Sequence, residues 1–80
     1  MIEVTAVRPL VNYRLELSFN TGENRVFDAR PYLDKGIFTE LKDLVYFRSA
    51  RVALGTVIWP HEQDFAPETL YLDSQSVATR

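Results

Sequence analysis

Between Asn12 and Phe19 the chain alternates without a break: Tyr13, Leu15, Leu17 and Phe19 are apolar, while Asn12, Arg14, Glu16 and Ser18 are polar. Successive side chains of a strand point to opposite faces, so this segment predicts a strand with one face in a core and the other in water. A slip of one residue would turn every apolar side chain outward, and the register is thereby pinned. Asn20-Thr21-Gly22 supplies turn residues, and Glu23 to Ala29 is expected to return as the antiparallel partner. Val26 and Phe27 fall on opposite faces of that partner, so both sides of the sheet are expected to be covered there.

Upstream, Ile2, Val4 and Ala6 alternate with Glu3, Thr5 and Val7 as a first strand, expected to end at Arg8-Pro9. Downstream, Asp28 is suited to accept backbone hydrogen bonds from a following turn, and Pro31 to Lys35 predicts a helical turn closed by Gly36. Phe38, Leu41, Leu44 and Val45 recur at three- and four-residue spacing, which predicts one amphipathic helix finished by Tyr46 and Phe47. Arg51 to Leu54 and Thr56 to Trp59, split by Gly55, predict a second hairpin that Pro60 stops. Phe65 returns the chain to the core. Pro67-Glu68 suits the first turn of a short helix, with Leu70 inward and Tyr71 at its edge.

The order β-β-β-α-β-β-α predicts an α+β fold of two layers, an antiparallel sheet of about five strands with short helices on one face. Residues 1–72 are expected to form one domain, and the polar segment 73–80, DSQSVATR, a frayed tail. A net charge of −2 offers no general attraction to a polyanion or an acidic membrane surface, so neither nucleic acid nor membrane is an expected partner. With no cysteine there is no disulfide, thiolate metal site or cysteine nucleophile. The N-terminus MIEVTAVRPL lacks the apolar run of a signal peptide or membrane span, and a cytoplasmic protein is expected.

Chemistry-bearing side chains concentrate after Gly55. His61, Glu62 and Asp64 are legitimate metal or acid–base groups, but a metal needs three or four donors converging on one point, which neighbours in a loop seldom supply. A solvated turn is the favoured expectation, with Asp64 capping the turn near Pro67 or accepting loop N–H groups. Trp59 is expected in the core with its N–H satisfied, and as an interface anchor in the competing account. Arg14 and Arg25 are expected side by side on the outer sheet face, neutralised by Glu16 and Glu23. No glycine loop for phosphate and no serine elbow is present.

Three stretches, VFDARPYLDKGIF, LKDLVYFRSARV and GTVIWPHEQDFAPETLY, resemble in that order the small bacterial family known as domain of unknown function 2442. Gly55, Trp59-Pro60, Asp64, Pro67-Glu68 and Leu70-Tyr71 at these separations carry the resemblance most specifically. Many relatives have Asn-Gly where this chain has His61-Glu62. The resemblance implies an α+β domain without an established activity, linked to toxin–antitoxin-like gene pairs and joined in longer relatives to a C-terminal helix-turn-helix segment. That segment does not occur within these 80 residues, so DNA binding is not carried over.

The expected function is a noncatalytic protein-interaction module that needs no cofactor. Trp59, His61, Glu62, Asp64, Glu68 and Tyr71 form its candidate surface, and open sheet edges are available for pairing. Its expected partners are another protein, encoded beside it, and a second copy in a homodimer. The alternatives are a small metal-binding protein or enzyme centred on His61, Glu62 and Asp64, and a weak nucleic-acid binder using the arginines.

Overall fold

The computed structural model describes residues 1–77. In chain order they form β1 (Val4–Leu10), β2 (Arg14–Phe19), β3 (Asn24–Asp28), two 3-10 segments (Arg30–Tyr32 and Gly36–Lys42), α1 (Leu44–Phe47), β4 (Arg51–Ala53), β5 (Thr56–Ile58), α2 (Pro67–Leu72) and β6 (Ser74–Ser76). The strands divide into a four-stranded antiparallel sheet, β1-β2-β3-β6, and a separate β4-β5 hairpin. The fold is α+β, as expected. The strands are distributed over two sheets, and β6 takes the second edge of β3.

β2 keeps its alternation: Leu15 and Leu17 are fully buried and Phe19 nearly so. Phe27, Leu41, Phe47, Val57, Trp59, Phe65 and Leu70 complete the core against them, and burying each such side chain contributes about 1.5–3 kcal/mol. Asn12 and Tyr13 belong to the turn before β2, with φ of 63° and 59°. Left-handed backbone is costly for tyrosine. The Tyr13 ring offsets this by packing edge-on against Phe47, while its hydroxyl donates to the Lys42 carbonyl at 2.5 Å.

β1 departs from the expectation. A register shift between Val4 and Ala6 moves the inward face from even to odd positions, so Val4 is buried, Ala6 is exposed and Val7 packs on the core. The strand also runs through Arg8-Pro9 to Leu10. Backbone bonds Ala29 N to Tyr13 O and Phe19 N to Glu23 O show that odd residues of β2 bond to β3, leaving its even residues for β1. The pairs Arg8–Glu16 and Leu10–Arg14 are then hydrogen-bonded, and Pro9 sits on the free edge, where its missing N–H costs no ladder bond.

The single amphipathic helix is replaced by two pieces. Asp43 adopts an extended conformation, and its carboxylate accepts from the amides of Val45 and Tyr46, capping α1. The helical phase restarts there. Phe47 points inward, whereas Leu44 and Val45, expected inside, are 45% and 80% exposed.

The tail expected to fray from residue 73 contributes β6 instead. Arg25 lies opposite Leu17, on the inner face, and Arg14 lies opposite Asp28, on the outer face, so the two arginines are not neighbours. The Arg25 guanidinium covers the Tyr71 ring at 4.4 Å and donates to Ser74 Oγ, Ser74 O and Ser76 Oγ, holding β6 in place. Glu16 pairs with Arg8 and Glu23 with Arg25. Residues 78–80 of the expected tail lie outside the described residues.

Candidate functional site

After β5 the backbone closes a second tight hairpin. Trp59 N donates to Gln63 O at 3.0 Å, Glu62 N donates to Trp59 O at 2.9 Å, and Ile58 bridges to Asp64. Pro60, with its fixed φ, suits the first corner of such a loop, and Glu62 closes it with φ of 74°. Glycine would adopt that left-handed position without the steric cost that Glu62 meets. Pro60 therefore turns the strand back, where departure from the sheet was expected. The loop projects His61 over α1.

There the imidazole stacks on Tyr46, with ring centroids 5.1 Å apart and planes 28° apart. His61 Nδ1 lies 2.6 Å from Glu40 Oε2, and Glu40 Oε1 accepts from Gln63 Nε2 at 2.8 Å. Gln63, only 2% exposed, also donates to Ile37 O at 3.1 Å and accepts from the Tyr46 hydroxyl at 2.6 Å. The same hydroxyl accepts from His61 N at 2.8 Å. A buried amide must have its hydrogen bonds made, and here making them fixes a surface carboxylate and a surface imidazole in one orientation.

Among the predicted surface residues, Trp59 is fully buried and leaves the candidate surface; its Nε1–H donates to Phe47 O at 2.9 Å. His61, Glu62 and Asp64 are exposed. They do not converge: His61 turns to Glu40, and among the described residues no group of three or more His, Asp or Glu side chains is arranged to hold a metal ion. Asp64 does not cap α2, whose N-cap is Ala66 without a side-chain bond. Glu68 stands in the first turn of α2. Tyr71 lies under Arg25 and donates to Glu23 Oε1 at 2.7 Å, which raises the phenol's pKa and lowers that of the carboxyl.

The sequence did not single out Glu40, Tyr46 or Gln63. Glu40 and Tyr46 sat within the supposed helix, and Gln63 read as one more polar loop residue. A buried glutamine betrays itself only through the turn that points it inward.

A concavity of about 380 Å³ opens on the outer sheet face, lined in part by Arg14, Asp28, Arg30 and Asp73. One of its two arginines is paired, and Arg14 Nε donates to Val11 O at 3.3 Å. Arg30 holds Asp28 at 2.8 Å, keeping that carboxyl below its usual pKa, and Asp73 accepts from the Tyr32 hydroxyl at 2.5 Å, which raises the phenol's pKa. Among the described residues no helix is long and apolar enough to cross a membrane.

A family profile described as "Protein of unknown function (DUF2442)" matches residues 4–76. No curated protein and no solved structure matches the chain.

Proposed function

The chain belongs to the DUF2442 family of proteins of unknown function, and we propose that it is a noncatalytic protein-interaction module, working in the cytoplasm, whose contact surface is formed by α1 and the loop 60–64. The observation that carries this is the exposure of Leu44 and Val45, adjacent in α1, beside an imidazole locked in place by a buried amide. Ile37, whose carbonyl accepts from Gln63 Nε2, is 63% exposed. Apolar anchors next to preorganised polar groups are what a recognition surface requires. The sheet edges are less suitable than expected: Pro9 interrupts the free side of β1, Gly55 O takes Val4 N, and β6 has three residues, with Arg25 on its Ser74 carbonyl.

Affinity capture from native lysate tests the proposal when Val45→Asp is compared with Leu72→Asp, a change at a 75% exposed site on α2. A partner retained by the wild type and by Leu72→Asp, and lost with Val45→Asp, is the expected result. Equal recovery by all three removes α1 from the account. A second copy of the chain is the other expected occupant, and sedimentation equilibrium of the same variants identifies it by a Val45-dependent dimer.

A further inference from the structure

The concavity on the outer sheet face is bordered by two charged side chains that have no ion-pair partner among the described residues, and their signs are opposite. Arg14 lies opposite Asp28 in the β2–β3 register, but Arg30 takes both oxygens of that carboxylate, with Nε 3.0 Å from Oδ1 and Nη2 2.8 Å from Oδ2. Arg14 commits only Nε, to Val11 O, so its two terminal nitrogens make no hydrogen bond among the described residues. Asp73 accepts from the neutral Tyr32 hydroxyl through Oδ2, which leaves its charge uncompensated. Opposite charges that border one cavity without pairing leave room for a bridging group, and about 380 Å³ is within the range of small-molecule sites. The lining also includes the half-buried Val26 and, paired with it across β3 and β6, Gln75, an apolar surface beside an amide that both donates and accepts.

We propose that this concavity binds a small zwitterion, an α-amino acid with an apolar side chain, its carboxylate on Arg14, its ammonium on Asp73 and its side chain over Val26. The free Nη1–Nη2 edge of a guanidinium matches the two oxygens of a carboxylate, and an ammonium suits a carboxylate with one oxygen still open. A simple cation or anion would leave the other charge unpaired in the same partly enclosed space, which favours a ligand carrying both. A phosphate would meet one unpaired guanidinium and two carboxylates, Asp28 and Asp73. No residue of α1 lines the cavity, so this site does not depend on the contact surface proposed there.

Titration of the isotope-labelled full chain near pH 7 with leucine, N-acetyl-leucine and leucine amide, followed by amide chemical shifts, tests this. Leucine is expected to move the amides of Arg14, Val26 and Gln75 at concentrations up to about 10 mM, a range suited to two partly solvated charge contacts. N-acetyl-leucine, which lacks the ammonium, and leucine amide, which lacks the carboxylate, are each expected to bind about tenfold more weakly. Arg14→Gln is expected to bring leucine down to leucine amide. Asp73→Asn, which keeps an acceptor for Tyr32, is expected to bring leucine down to N-acetyl-leucine. The analogue comparison uses the wild type alone and decides the matter where a variant fails to fold. If either blocked analogue binds the wild type as tightly as leucine, the zwitterion is overturned. If leucine moves none of these amides at that concentration, or its shifts centre on α1 and the loop 60–64, the site itself is overturned.

Discussion

Gln63 Nε2 donates to Glu40 Oε1 across 2.8 Å, while the other oxygen of the same carboxylate faces His61. A residue with 2% exposure thus controls the orientation of two surface groups. Gln63→Glu preserves the shape and replaces the donor with a second carboxyl. Two carboxylates at this separation cannot both ionise without repulsion, so one must keep a proton. The variant is expected to lose about 1–3 kcal/mol in urea unfolding at neutral pH and to recover part of it near pH 4. A loss independent of pH would mean that Glu40 and residue 63 are not in contact.

Pro9 occupies the unpaired edge of β1, and the register assigns its nitrogen to the open side. Pro9→Val restores a donor there next to Val7 and is expected to promote edge-to-edge association, seen as a shift from the wild-type species to larger ones in sedimentation velocity. An unchanged sedimentation profile would place the free edge elsewhere.

The ion pairs set a stability window. Glu23 is held below its ordinary pKa of 4.5, chiefly by the Tyr71 hydroxyl, and Asp28 below 3.8, chiefly by Arg30. Their contributions are complete above those ordinary values and disappear as pH falls through the lowered ones. Tyr71 and Tyr32 are raised above 10.0 by Glu23 and Asp73, so their contributions are complete below pH 10.0 and are lost as pH rises beyond it. Melting temperature is expected to be flat between about pH 5 and 9 with respect to these groups and to fall on both sides. Tyr71→Phe should flatten part of both limbs. A variant whose two limbs match those of the wild type would contradict the pairing.

Much of the fold was legible because periodicity is a local signal. The β2–β3 hairpin, the turn at Gly55 and the placing of Phe65, Pro67 and Leu70 all come from residues read against their neighbours. Helical spacing through Asp43 misled because Leu44 and Val45 suit an inward stripe as well as an exposed one. The deciding fact was the Asp43 side chain capping its own backbone. At β1 the bulge near Thr5 changes face parity without a glycine to announce it. The order of β6 depends on Arg25, 49 residues before Ser74, and no local pattern reports such a contact. For the site, His61 was visible as the sole histidine, but its carboxylate lies 21 positions upstream and not beside it at Glu62 or Asp64.

The proposed contact surface depends on Glu40 holding the His61 ring through Nδ1. Long-range nitrogen–proton correlation spectra of the imidazole at about pH 8.5, above the ordinary range of free histidine, measure this directly. The proton is expected on Nδ1 in the wild type, and the bias should weaken in Glu40→Ala. A neutral ring with its proton on Nε2 in the wild type would contradict the Glu40 contact and, with it, the preorganised surface.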